Sequence, residues 1–220
     1  MRALKTLVAS TLLAVAVPSF AEPLTIDFET VPSGINAIGD TYDGFHFTAN
    51  AWSIIASGQG GLGNFTGAPT PIGALFLSAD PLQPGGPGDD PESVSFVINV
   101  DQGFTESFGL WYTSTALGFG RVQVFSGANG SGDSLGAFDL TPRPACIQAP
   151  TLVCNWLESS VGFTGTAFSI VVSGADSQFY FDNLRFGNLL DDGGNVPEPG
   201  GVALSLAALG ALAWTRKRRG

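Results

Sequence analysis

Cations are what this sequence lacks. Of the nine Lys and Arg in its 220 residues, Arg2, Lys5, Arg216, Lys217, Arg218 and Arg219 lie in the two ends. Only Arg121, Arg143 and Arg185 remain for the body, against 19 Asp and Glu that all fall between Glu22 and Glu198. A body without lysine excludes nucleic acid and anionic lipid surfaces as partners, because phosphate recognition needs clustered cations. Histidine is nearly missing as well. One His, at position 46, does not make the ligand set of a metal hydrolase. Methionine is confined to the initiator, and no apolar period of 3.6 residues outlasts a turn or two in the body, which excludes a helical fold. Two cysteines, Cys146 and Cys154, come with no companion His, so a disulfide is expected, a reactive or metal-bound pair being the alternative.

What is present points to strands. Thirty Gly and 14 Pro call for many turns, and apolar residues alternate with polar ones at period 2. Strands are expected at Leu24 to Phe28, Gly44 to Thr48, Ser93 to Val100, Thr105 to Thr113, Arg121 to Phe125, Leu135 to Leu140, Val161 to Phe163, Ala167 to Val172 and Gln178 to Phe186. Ser93 to Val100 is the clearest, with Val94, Phe96, Ile98 and Val100 on one face. Loops fall at Pro69 to Pro71 and Pro81 to Pro91. The expected fold is all-β, an antiparallel β-sandwich of jelly-roll type over residues 22–187. Residues 188–196 read as an acidic flexible linker.

Both ends read as addresses. Arg2 and Lys5 precede an apolar stretch from Thr6 to Val17, and small residues at Ser19 and Ala21 predict cleavage after Ala21, so residues 1–21 are a signal peptide. At the far end the motif Pro197-Glu198-Pro199 precedes an uncharged run from Gly200 to Trp214, then the basic cluster Arg216, Lys217, Arg218 and Arg219. As a helix that run is about 22 Å long at 1.5 Å per residue, against a hydrocarbon core of about 30 Å, so it spans only with help from the interface. The basic cluster is expected to stay cytoplasmic, which puts the body across the inner membrane.

Residues 197–220, motif, short transmembrane helix and Arg-rich end in that order, resemble the PEP-CTERM sorting signal of Gram-negative bacteria. The resemblance implies recognition by exosortase, a membrane peptidase that cuts near the motif, and an association with exopolysaccharide and biofilm. It covers about a tenth of the chain. Gln178-Phe179-Tyr180-Phe181-Asp182 is similar to a Q-F-x-x-D pattern near the end of the body in one group of these proteins. The implied partners are signal peptidase, exosortase, the inner membrane before cleavage, and extracellular polysaccharide. The implied location is the periplasmic side of the inner membrane, then the cell surface or matrix.

Candidate sites in the body are of three kinds. Asp27 and Glu29 near its start and Asp182 near its end resemble the paired terminal strands of secreted jelly-roll domains, where carboxylates often join a structural calcium ion. Calcium wants six to eight oxygen ligands, so these three supply part of a shell, and a hydrogen-bonded structural Asp182 is the alternative. Trp52, Trp111, Tyr112 and Trp156 are candidate glycan contacts or core residues; Trp111 and Tyr112 alternate, so one of them should point outward. Gly132-Asp133-Ser134-Leu135-Gly136 fits an esterase motif, but a strand is expected after it where the elbow needs a helix, and the single His lies upstream. The expectation is a noncatalytic exported protein of the surface or matrix, with a calcium-stabilised glycan-binding module as the alternative and a secreted hydrolase third.

Overall fold

Among the described residues every pairing between strands is antiparallel, and parallel pairing is confined to the isolated bridges Ala56 with Gly63 and Phe65 with Val153. The computed structural model describes residues 23–82, 92–143, 145–147 and 149–190; the expected signal peptide, most of the expected linker and the whole expected sorting tail lie outside the described residues. The strands are β1 (Pro23–Ile26), β2 (Ile35–Ala37), β3 (Phe45–Phe47), β4 (Ala51–Ile55), β5 (Gly73–Leu77), β6 (Ser93–Ser114), β7 (Gly120–Phe125), β8 (Ser134–Leu140), β9 (Ala145–Cys146), β10 (Ala149–Val153), β11 (Leu157–Ala175) and β12 (Phe179–Leu189). Among the described residues helix is limited to single 3₁₀ turns at Ser57–Gln59 and Ala128–Gly130. No described helix is long and apolar enough to cross a membrane.

β6 and β11 are long enough to serve two layers. The first part of β6 pairs with β3 (Phe47 with Ile98) and with the last part of β11 (Val171 with Val97), and β11 leads on to β7 and β8. The second part of β6 pairs with the first part of β11 and with β12, which leads through β5 and β4 to β2 and carries β1 beside its far half. The strands change layer where register slips, at Gly162/Thr166 and Ala167/Ser169. Bulges bend a long strand between two sheets in this way. Opposite them Gly103 has φ 71°, and a Cβ there would stand 2.9 Å from the side chains of Phe168 and Thr166.

Rings from both layers fill the space between them. Phe45 meets Phe186 at 4.7 Å, and Phe96 meets Phe181 edge-on at 6.2 Å. A second, smaller cluster lies on the outer face of the layer that holds β12. There Ile54, Ala74, Phe76 and Tyr180 point away from the sandwich interior and are covered by Phe65 and Val153. β5 is therefore buried at all five positions.

Several expectations need correction. The sequence splits β6 and β11 in two because their bulges interrupt the alternation; each is one strand. The last strand does not stop at residue 186 but carries ladder pairs through Leu189, two residues past the expected body and into the expected linker. Nor does Asp182 share a face with Leu184 and Phe186. Asn183 adopts φ 47° beside a slip in register, so Phe179, Phe181, Leu184 and Phe186 all enter the core while Asp182 turns to Thr70.

Candidate functional site

The first and last described strands meet. β1 lies antiparallel to β12, with Leu24 opposite Phe186 and Ile26 opposite Leu184. That pairing gathers the three candidate carboxylates around the Pro69 to Pro71 loop. Asp182 is fully buried and accepts from the Thr70 backbone N–H (2.9 Å), the Thr70 hydroxyl (2.7 Å) and its neighbour's N–H at Asn183 (2.7 Å). Glu29 accepts from the N–H groups of Ile72 (2.9 Å) and Gly73 (3.2 Å), and Asp27 from that of Glu29 (3.2 Å). Each carboxylate thus holds backbone amides, a role the carboxylate's acceptor-only chemistry suits. Among the described residues no three His, Cys, Asp or Glu stand close enough to hold a metal.

Gln178-Phe179-Tyr180-Phe181-Asp182 is structural throughout. Gln178 accepts from the Thr115 hydroxyl and donates to the Asp176 carbonyl; Phe179 and Phe181 lie in the main core; Tyr180 stacks on Phe76 at 5.0 Å in the second cluster. Burial pushes the Tyr180 phenol up to about 12. The pattern therefore encodes the junction between the last strand and both cores.

The four aromatics separate cleanly. Tyr112 is buried, its hydroxyl bonded to Thr141. Trp52 and Trp156 are partly buried with their indole N–H groups donated to the carbonyls of Ser78 (2.8 Å) and Thr66 (3.0 Å), and Trp156 stands edge-on to Phe65. Trp111 differs. It is partly exposed on the outer face of the same layer, and its N–H donates to no described group. Across the ladder it faces Asp182 on one side and Glu158 on the other. One row along, Arg185 pairs with Gly109 and reaches the Glu158 carboxylate as an ion pair. Glu158 and Arg185 stand beside Trp111 and were not among the candidates read from the sequence; Glu158 lies before the strand expected at Val161, so its face could not be assigned.

Other features are structural. Cys146 and Cys154 form the expected disulfide, which joins the ends of the β9–β10 unit beside an open apolar hollow of about 670 Å³. Closing so small a loop stabilises by roughly 2 to 3 kcal/mol in the chain-entropy model. Ser134 of the esterase-like motif opens β8, with a strand and no helix after it. His46, on β3, is four strand spacings away, about 19 Å.

His46 instead ties a loop to β6. Its Nδ1 meets Asp40 at 2.7 Å and its Nε2 meets Asp101 at 3.0 Å. Only the imidazolium donates from both nitrogens. The bond to Asp101, then that to Asp40, hold its pKa above 6.5. A folded pKa above the unfolded one gives stability that is present below pH 6.5 and lost as pH rises through the folded value. Melting temperature should therefore fall over that window at constant salt, and His46→Gln should flatten that part of the curve. An unchanged curve in the variant would remove His46 as the cause.

No protein-family model matches the chain, and no curated protein matches it. Among solved structures the chain has distant likenesses. One is the K1 cleaved adhesin domain of Lys-gingipain from Porphyromonas gingivalis W83, at 14% identity over 76% of this chain and 99% of that one, TM-score 0.46. Another is a family 29 carbohydrate-binding module from Piromyces equi, at 12% identity over 71% and 88%, TM-score 0.36. A third is the Clostridium stercorarium module CsCBM6-3 in complex with cellobiose, at 14% identity over 78% and 99%, TM-score 0.34. At such scores the likeness carries no function across to this chain.

Proposed function

We propose that this chain is an exported, noncatalytic protein of the cell surface or extracellular matrix, with a jelly-roll body held at the inner membrane by its tail until exosortase cuts near Pro197-Glu198-Pro199. The observation that carries the reading is the pairing of Pro23 with Asn188. The described body thus begins and nearly ends on paired strands, which suits a domain held by a single tether. Signal peptidase acts at Ala21 and the basic cluster from Arg216 to Arg219 stays cytoplasmic.

Intact-mass measurement on protein from the native host tests this. The mature chain should begin near Glu22 and end near the Pro197-Glu198-Pro199 motif in exosortase-positive cells, and should keep its tail in cells without exosortase. Alanine at Pro197, Glu198 and Pro199 should block only the C-terminal cut. An Arg-rich tail retained in exosortase-positive cells would overturn the sorting scheme.

Glycan binding is the second reading, favoured by one contrast. Of the three described tryptophans, Trp52 and Trp156 have their indole N–H groups bonded inside the protein and Trp111 does not. An aromatic with a free polar edge on an exposed sheet face is suited to a partner that is apolar on its faces and polar at its rim.

A further inference from the structure

We infer that the outer face around Trp111 binds a neutral polysaccharide, a pyranose ring lying on the indole while the Arg185–Glu158 pair bridges its hydroxyls; this rests on the glycan-binding reading above. Three strands build the site. Trp111 lies on β6, Glu158 is its direct partner on β11, and Arg185 comes from β12. Gly109, the ladder partner of Arg185, presents no side chain on this face; a Cβ there would be tight against the Cβ of Ser160 at 3.0 Å and in ordinary contact with the Arg185 guanidinium at 3.7 Å. Both charged side chains keep about two fifths of their surface exposed, 40% for Arg185 and 43% for Glu158, and so remain open to a ligand.

The chemistry selects the ligand class. A guanidinium offers only donors and a carboxylate only acceptors. Set side by side and already holding each other, they meet adjacent hydroxyls that each donate and accept, with little further ordering on binding. The pair carries no net charge. Arg185 is one of three cations between Glu22 and Glu198, against 19 acids, so a uronate would have to take it from Glu158 against a repulsive field. The other carboxylate beside Trp111 does not compete, because Asp182 is fully buried and engaged by Thr70 and Asn183.

The test titrates the exported protein, as purified from its host, with mixed-linkage β-glucan, xylan and galactomannan, and in parallel with alginate and polygalacturonate. At least one neutral polymer should bind, with affinity that changes less than about twofold between low and high salt, as expected where no net charge is neutralised. Trp111→Ala should weaken binding by about tenfold or more and Glu158→Gln by several fold, with Trp111→Phe recovering part of the loss, as for an aromatic platform. Melting curves of each variant confirm folding. Binding to neutral polymers that ignores Trp111→Ala would overturn this site and leave glycan binding standing. Trp111-dependent binding to the uronates alone would overturn the ligand class. No binding to any polymer by the folded protein would overturn the glycan reading itself.

Discussion

Asp182→Ala is expected to lower folding stability by about 2–4 kcal/mol, because it strands buried donors at a cost of about 1–3 kcal/mol each. Two of them, the backbone N–H groups of Thr70 and Asn183, have Asp182 as their acceptor. The Thr70 hydroxyl has a second acceptor, the Asp27 carbonyl at 3.0 Å, and adds little to the loss. Asp182→Asn should cost less, since its Oδ1 still accepts while its amide faces a donor. The pH dependence has a definite sign. Burial raises the Asp182 pKa from 3.8 to about 6, against the pull of Thr70 and Asn183 in the other direction. A raised folded pKa gives a contribution that is full below pH 3.8 and lost as pH climbs through about 6, a window below that of His46. Denaturant melts of protein and variant across these pH values check both magnitude and sign.

Calcium gives the same residue a second, independent readout. An ion held by Asp27, Glu29 and Asp182 would bind the folded state and raise its melting temperature by linkage. With Asp182 already saturated by protein donors, chelator should leave the melt unchanged. A melting temperature that drops on chelation, and does so less in Asp182→Asn, would put a metal back among these carboxylates.

Where the sequence could be read, one face of a strand was buried and the other was wet. Ser93 to Val100 alternates because Phe96, Ile98 and Val100 enter the core while their neighbours do not. β5 escaped notice for the opposite reason. Leu75 and Leu77 face the main core while Ala74 and Phe76 face the second cluster, so Gly73-Ala74-Leu75-Phe76-Leu77 has no alternation to detect. Bulges were nearly silent: the Asn in Asp182-Asn183-Leu184 tolerates a left-handed turn, as Asn often does, but nothing in the pattern requires one there. The aromatic pair at 111 and 112 shows the limit for the site. Period 2 says that one side chain points outward, but which one depends on which layer β6 has reached, and that is set by the bend near Gly103.

Phe186→Ala should cost more than any surface change, about 3–5 kcal/mol, the range for truncating a buried Phe. The ring is fully buried against Phe45 (4.7 Å), Phe108 (5.2 Å) and Phe104 (5.3 Å). Its backbone also sits between β1 and β6, opposite Leu24 and Phe108. The cavity therefore opens where the first and last described strands meet β6, and rings anchored on β3 and β6 cannot collapse into it without breaking ladder pairs. Phe119→Ala is the matched control: the same atoms are removed from a side chain 68% exposed in the loop before β7, where substitutions stay within about 0.5 kcal/mol. Chemical denaturation with unchanged m-values would establish the difference as one of folded-state packing. Hydrogen exchange adds location, since amides of β1 should lose protection in Phe186→Ala before those of β7 do. Equal losses in the two variants would mean that the junction of β1, β12 and β6 is not held by this ring.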